Sequence, residues 1–276
     1  MKTALFCFIS SLLLLTQAFA SSPAPETTSL FSHKVGSASL YDRLKDQGVP
    51  EEAISRSFVF LDAYAGKSLI VDKKIRPKGA PAYMTRGPIT IQSKYAAIID
   101  YSRPSTSKRL YLIDLSTGQV EKFYVAHGRN SGTLVPTEFS NINMSKMTSL
   151  GIMVGGDTYV GGHGRSMNLY GLEPTNSLTA ERDIVMHGAD YVSDRFIETN
   201  GRLGLSWGCP AVEPRALPKL IETLSNGSMI YHYYPGLEKI AGENPLRQEF
   251  APVPENSAFP MMDLPGEEED FQAHRK

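Results

Sequence analysis

Two stretches decide the fold, Ile184-Val185-Met186-His187-Gly188-Ala189-Asp190 and Gly204-Leu205-Ser206-Trp207-Gly208-Cys209-Pro210-Ala211-Val212. The first is a short apolar run that ends in histidine and glycine, as expected for a buried β-strand that delivers a side chain to a turn. In the second, Cys209 follows glycine, 22 residues after His187. A thiolate is a nucleophile, and a nearby imidazole can accept its proton and return it to a leaving group. The two stretches therefore predict a cysteine–histidine pair presented by a β-rich domain.

The rest of the chain predicts a mainly β fold with attached helices (α+β). Apolar residues at helical spacing indicate one helix around Leu40–Leu44 and a second over Ala53–Ala65, with Pro50 placed to begin it. A third helix is predicted over Val212–Leu224. Short β-rich runs bounded by turn residues follow Pro88, at residues 89–91, 96–101, 109–115, 120–126, 152–154, 183–186 and 229–234.

The amino terminus has the pattern of a secretory signal peptide over residues 1–20. It has Lys2, an apolar run from Ala4 to Leu15 and the small-x-small ending Ala18-Phe19-Ala20. A membrane span needs about 20 apolar residues, and no stretch of the sequence reaches that length. We therefore expect export to the periplasm or the cell surface, with no stable membrane insertion.

Composition divides the remainder into three parts. Residues 21–88 form a flexible lead and the two N-terminal helices, residues 89–236 form the catalytic domain, and residues 237–276 form an acidic, proline-rich tail predicted to be disordered. The tail has four Lys/Arg against nine Asp/Glu, whereas residues 21–236 have 23 against 20. So small an excess of positive charge over residues 21–236 does not indicate nucleic-acid binding.

Cysteine usage singles out Cys209. The other cysteine, Cys7, lies in the signal peptide, so the mature chain cannot form an internal disulfide. A leftover cysteine in a secreted protein is a reactive thiol or an intermolecular disulfide partner, and a buried cysteine can also serve as a small apolar residue. The chain is expected to be a monomer, and a thiol-sensitive dimer on a non-reducing gel would indicate the disulfide instead.

Further stretches extend the pattern around the histidine and cysteine. They are Asp100-Tyr101-Ser102-Arg103-Pro104-Ser105, Val125-Ala126-His127-Gly128-Arg129-Asn130-Ser131-Gly132, Phe139-Ser140-Asn141, Ser149-Leu150-Gly151, Tyr159-Val160-Gly161-Gly162-His163-Gly164 and His187-Gly188-Ala189-Asp190-Tyr191-Val192. Together with Ser-x-Gly-Cys-Pro, they resemble the murein L,D-transpeptidase catalytic domain, a branch of the YkuD-like family. The resemblance covers about Ala53 to Tyr234 and implies a β-sandwich or barrel catalytic domain.

The resemblance implies specific roles. Cys209 is the nucleophile, His187 the general base and acid, and the carbonyl of Gly188 orients the imidazole. Backbone N–H groups of the loop containing Ser206, Trp207 and Gly208 form the oxyanion site. The implied partner is the peptidoglycan stem tetrapeptide. The thiolate attacks the carbonyl of its third residue, usually diaminopimelate, releases D-alanine and passes the acyl group to an amine. No metal or organic cofactor is implied.

This sequence departs from the commoner family motif at two positions. Trp207 stands where a histidine is usual, so His187 acts alone as the base and the indole is expected to form a pocket wall. No arginine follows the cysteine closely. A cation for the substrate carboxylate must come from elsewhere, and Arg165, Arg182 and Arg202 are the candidates nearest in sequence. His163 and Tyr159 are candidates for lining the substrate site.

Three His-Gly units, at His127, His163 and His187, raise the alternative of a zinc site. No His-Glu-x-x-His motif or helical i, i+4 pair supports it, so no metal is expected and His127 is interpreted as a structural turn residue.

Two other functions stay open at this level. The same acyl-enzyme can be released by water, which would make the chain an L,D-carboxypeptidase or endopeptidase. A non-catalytic cell-wall-binding module could also keep the fold.

Overall fold

The computed structural model describes residues 29–236. The predicted signal peptide, the start of the predicted lead and the acidic tail lie outside the described residues. The helices are α1 (Leu40–Asp46), α2 (Glu51–Tyr64), α3 (Asp194–Asn200) and α4 (Leu217–Leu224). The strands are β1 (Lys34–Val35), β2 (Ala38–Ser39), β3 (Ser68–Ile75), β4 (Tyr83–Thr90), β5 (Tyr95–Asp100), β6 (Leu110–Asp114), β7 (Gln119–Phe123), β8 (Gly151–Gly161), β9 (Gly164–Gly171), β10 (Val185–Gly188), β11 (Ala211–Val212) and β12 (Met229–Tyr233).

Eight strands form one sheet in the order β11-β10-β9-β8-β12-β5-β6-β7. Neighbours are antiparallel except for two parallel pairs, β10 with β11 and β12 with β5. The two edges approach each other, because Val125, just after β7, bridges Val212 of β11, and the N–H of Ala126 donates to the carbonyl of Ala211 at 2.8 Å. The sheet is therefore nearly closed, and the predicted mainly β fold with attached helices is confirmed.

The core is built around strands that are buried on both faces. Every residue of β12 is buried, as are Ala96–Asp100 of β5. A strand buried on both faces needs cover on both sides, and α2 packs on β12 while α4 packs on β5 and β8. The hydroxyl of Tyr233 on β12 also donates a hydrogen bond to Glu52 of α2 at 2.8 Å.

The first two helices begin where the sequence predicts. The Ser39 hydroxyl caps α1 by accepting the N–H of Asp42 at 3.0 Å. Pro50 is the N-cap of α2, whose buried Ala53, Ile54, Phe58 and Leu61 recur at helical spacing. Among residues 29–236, no helix has both the length and the apolar character needed to cross a bilayer.

Three features differ from the sequence-based expectations. The helix predicted from Val212 begins only at Leu217, because Val212 pairs with β10 and with Val125. Strand β9 and helix α3 were not predicted. A hairpin of β3 and β4 pairs from Ser68–Thr90 to Ile75–Tyr83 and contacts β9, although the sequence indicated a strand only at residues 89–91. Charges at Asp72-Lys73-Lys74 interrupt the apolar pattern that would have indicated the hairpin.

Candidate active site

The parallel strands β10 and β11 bring the two diagnostic stretches together. His187 is the register partner of Ala211, and Gly188 is the partner of Val212. Cys209 lies two residues before Ala211, level with Val185 on β10. The pairing of β10 with β11 therefore brings Cys209 within two register positions of His187 on the neighbouring strand.

The imidazole of His187 is buried and fixed in one orientation. Its Nδ1 lies 3.1 Å from the carbonyl oxygen of Gly188. A carbonyl only accepts, so Nδ1 donates the proton and Nε2 is left as a proton acceptor. Burial lowers the pKa of His187 to about 4, with a smaller contribution from His163. The ring is therefore neutral at pH 7, as a general base must be.

His163 lies in the turn between β8 and β9 and folds over the site. Its ring stacks on that of His187, with centroids 4.3 Å apart and an interplanar angle of 20°. Tyr159 of β8 pairs with Ser166 of β9, which in turn pairs with His187. The hairpin therefore places His163 against the imidazole, and Tyr159 in the same register row of the sheet, with Ser166 between it and His187.

The thiol of Cys209 is held by the main chain. Sγ accepts the N–H of Val185 at 3.4 Å and lies 3.5 Å from the carbonyl of Asp183, to which S–H donates. Within the described residues no hydrogen bond joins Sγ to His187. The residue is partly exposed, and desolvation by its neighbours raises the pKa of Cys209 to about 11. The resting pair is a neutral thiol and a neutral imidazole.

Alkylation of Cys209 by iodoacetamide is expected to be slow at pH 7. The reactive species is the thiolate, and below a pKa of about 11 its fraction rises about tenfold per pH unit. The rate should therefore keep rising through pH 10, whereas a free cysteine in the same buffers should level off above its ordinary pKa of about 8.5. A rate that reached its plateau below pH 8 would indicate a thiolate–imidazolium pair and contradict this assignment.

The loop before the nucleophile is organised by Ser206. Its hydroxyl donates to the carbonyl of Cys209 at 2.7 Å and accepts the N–H of Gly208 at 3.1 Å. The Gly208 N–H is thereby occupied. Within residues 29–236 the main-chain N–H of Cys209 donates to no other residue, so it is a loop group that could stabilise an oxyanion.

Gly208 cannot be replaced without moving its neighbours. Its φ of 122° lies in a region that L side chains rarely adopt. A Cβ would also lie 2.7 Å from the carbonyl oxygen of Met147 and 2.9 Å from Ile184 Cδ1. The glycine therefore lets the nucleophile loop pack against both the 140–149 segment and the start of β10.

Trp207 lies at the surface of the loop, with 45% of its area exposed. The ammonium of Lys146 lies 4.0 Å from the centre of its ring. Trp207 therefore stands exposed two residues before Cys209, its role as a pocket wall stays a prediction, and Lys146 is a cation that the sequence analysis did not identify.

The three arginines proposed from sequence lie in different surroundings. Arg182 donates to the carbonyls of Ser140 (2.7 Å) and Met147 (2.6 Å), and to the hydroxyls of Ser145 and Ser149. It therefore supports the 140–149 segment under Gly208. Arg202 donates to the carbonyl of Leu203 at 2.7 Å, and Arg165 is exposed on β9.

His127 is a structural residue. It is fully buried, with Nδ1 2.8 Å from Arg109 Nη2 and Nε2 3.1 Å from the carbonyl of Gly132. An arginine only donates, so Nδ1 accepts and Nε2 carries the proton. Both nitrogens are therefore occupied, and residues 29–236 contain no group of three metal-ligating side chains.

The sequence missed two cations and the carboxylate that they bind. Lys74 and Arg76, at the end of β3, both form ion pairs with Asp183, the residue whose carbonyl faces the thiol of Cys209. The basic run Lys73-Lys74-Ile75-Arg76-Pro77-Lys78 was the available signal, but nothing local indicated that it would pack more than 100 residues away in sequence.

Comparison with known protein families gives one match. A family model described as the L,D-transpeptidase catalytic domain matches residues 69–233. The chain belongs to the L,D-transpeptidase family. The match begins at Leu69, so it includes the β3–β4 hairpin together with the main sheet.

Solved L,D-transpeptidases are also found by structural comparison. One is an L,D-transpeptidase from Mycobacterium smegmatis, with 10% identity, a TM-score of 0.33, and coverage of 63% of this chain and 85% of that one. Another is Mycobacterium tuberculosis L,D-transpeptidase 1, with 9% identity, a TM-score of 0.31, and coverage of 67% and 90%. A search of curated proteins gives no match.

Proposed function

We propose that this L,D-transpeptidase family member cross-links peptidoglycan, with Cys209 as the nucleophile and His187 as the base and acid. The observation that supports this most is the parallel pairing of β10 with β11, which puts Cys209 two register positions from His187, with Nδ1 of His187 bound to Gly188 so that Nε2 is left to accept a proton. The signal-peptide pattern of residues 1–20 supports export to the periplasm or cell surface, where this substrate lies.

The first half-reaction forms a thioester. As Sγ attacks the carbonyl carbon of the third residue of a stem tetrapeptide, its proton passes to Nε2 of His187. The N–H of Cys209 stabilises the oxyanion. When the intermediate collapses, the C–N bond breaks and His187 gives the proton to the nitrogen of the departing D-alanine.

The second half-reaction reverses these roles. An amine of another stem peptide loses a proton to His187, attacks the thioester and displaces Cys209, which takes the proton back. Water in place of the amine gives a trimmed tripeptide. In the resting structure the thiol is hydrogen-bonded to the main chain of Val185 and Asp183. When the substrate binds, the thiol must leave these partners and bind the imidazole. Catalytic hydrogen bonds often form or shorten only in the complex with substrate.

Mass spectrometry of tetrapeptide muropeptides incubated with the mature protein tests the proposal. Loss of D-alanine with formation of dimers is the expected result. Tripeptide monomers without dimers would identify a carboxypeptidase. Unchanged tetrapeptides, dimers and sacculi would contradict catalysis on peptidoglycan and favour a binding module.

A further inference from the structure

We infer that Lys74 and Arg76 bind the terminal carboxylate of the donor peptide. This inference rests on the proposed function and names the part of the substrate that the two cations recognise. The cations lie at the end of β3, on a hairpin separate from the main sheet. Asp183 brings them to the nucleophile, because its carboxylate binds both cations while its main-chain carbonyl accepts the S–H of Cys209.

Arg76 is held firmly in the wall of the site. Its guanidinium lies over the ring of Tyr159, 4.1 Å from the centroid, and its Nη1 donates to Asn168 Oδ1 at 2.7 Å. Nη2 donates to Oδ1 of Asp183. This one side chain, just after β3, thus contacts β8, β9 and Asp183, two residues before β10, and 21% of it remains open to solvent.

Lys74, Arg76 and Asp183 together carry a net positive charge. Lys74 Nζ donates to the second oxygen of Asp183 at 2.6 Å, so two cations share one carboxylate that is 52% exposed. A guanidinium has five N–H donors and an ammonium three. Within the described residues, Arg76 uses two of these and Lys74 one. A second carboxylate can therefore bind without displacing Asp183.

The position of the departing residue suits this role. In a tetrapeptide donor, the terminal carboxylate belongs to the departing residue, and its atoms lie about 3 to 5 Å from the scissile carbonyl carbon, given ordinary bond lengths and angles. Asp183 links this position to the cations, because its carboxylate binds Lys74 and Arg76 and its main-chain oxygen lies 3.5 Å from Sγ. Arg182 is less suited, because its four hydrogen bonds fix it to neutral oxygens of the 140–149 segment.

Calorimetric binding to the Cys209→Ala protein tests the inference without turnover. The ligands are the stem tetrapeptide and the same peptide with only its terminal carboxylate amidated. The acid is expected to bind about tenfold more tightly than the amide, the size of effect given by one charge-assisted hydrogen bond. Adding Arg76→Gln or Lys74→Gln should weaken the acid about tenfold and leave the amide unchanged.

Lys73→Gln is the matched control. Lys73 is adjacent on β3, but it donates to the carbonyl of Pro88 at 2.9 Å and lies over Tyr170, so it should change neither affinity. Equal affinity of acid and amide would overturn the inference, and so would equal losses for both peptides in the variants, which would indicate a purely structural role. Lys74→Gln and Arg76→Lys supply the same comparison if Arg76→Gln does not fold.

This outcome is separable from that of the proposed function. Release of D-alanine from the acid and of D-alaninamide from the amide by the wild-type protein, with equal kcat/KM, would leave the transpeptidase activity in place and remove the carboxylate site. Tighter binding of the acid peptide, with no cleavage of either peptide, would support the carboxylate site and contradict the transpeptidase activity.

Discussion

Cys209→Ala is expected to lose D-alanine release from tetrapeptides entirely, a fall of at least about a thousandfold in kcat/KM. No other side chain can form the thioester, since Cys209 is the one cysteine within residues 29–236, and removal of a nucleophile abolishes the covalent route. The release of D-alanine and the mass of any acyl-enzyme, followed by mass spectrometry, measure this directly.

The control for that variant is its stability. Sγ makes only two long hydrogen bonds, at 3.4 and 3.5 Å, so the free energy of unfolding should change by no more than about 1 kcal/mol. A folded alanine variant that still released D-alanine would show that another group forms the bond and would end the cysteine mechanism.

His187→Gln is expected to lower kcat/KM by about a hundred- to ten-thousandfold, the range for loss of a positioned general base. Because the resting pair is neutral, with pKa values of about 4 for His187 and about 11 for Cys209, alkylation of the resting thiol should change far less than turnover. Steady-state kinetics and iodoacetamide labelling at pH 7 measure the two quantities on the same sample.

His163→Gln is the matched comparison for the base. His163 stacks on the imidazole from an exposed turn, so it acts through His187 and its loss should cost less activity. If His163→Gln were as damaging as His187→Gln while binding was unchanged, the assignment of the base to His187 would be wrong.

Local patterns predicted much of the fold. The helical spacing after Pro50 predicts α2, and the β-rich runs predict β5, β6 and β12 closely, because burial on defined faces leaves a periodic signal in the sequence. Two-residue β11 left no such signal. Val212 reads as the start of a helix, and only its pairing with Gly188 and Val125 makes it a strand.

The candidate residues of the site could be predicted where short stretches of sequence contained the chemistry. Cys209 and His187 could be named from the two stretches, and the Nδ1–Gly188 contact is present in the structure. Lys74 and Arg76 could not, because their contact with Asp183 depends on how a hairpin docks on the sheet. The sequence also did not indicate that the N–H of Gly208 is occupied, because its hydrogen bond to the hydroxyl of Ser206 depends on the conformation of the loop.

The raised pKa of Cys209 has a consequence for its oxidation. Peroxides and disulfides react with thiolates much faster than with thiols, and a group with a pKa of about 11 is almost wholly thiol at neutral pH. The resting protein is therefore slow to form sulfenic acid or mixed disulfides. In the proposed mechanism, a thiol that gives up its proton only when His187 accepts it would stay reduced between turnovers.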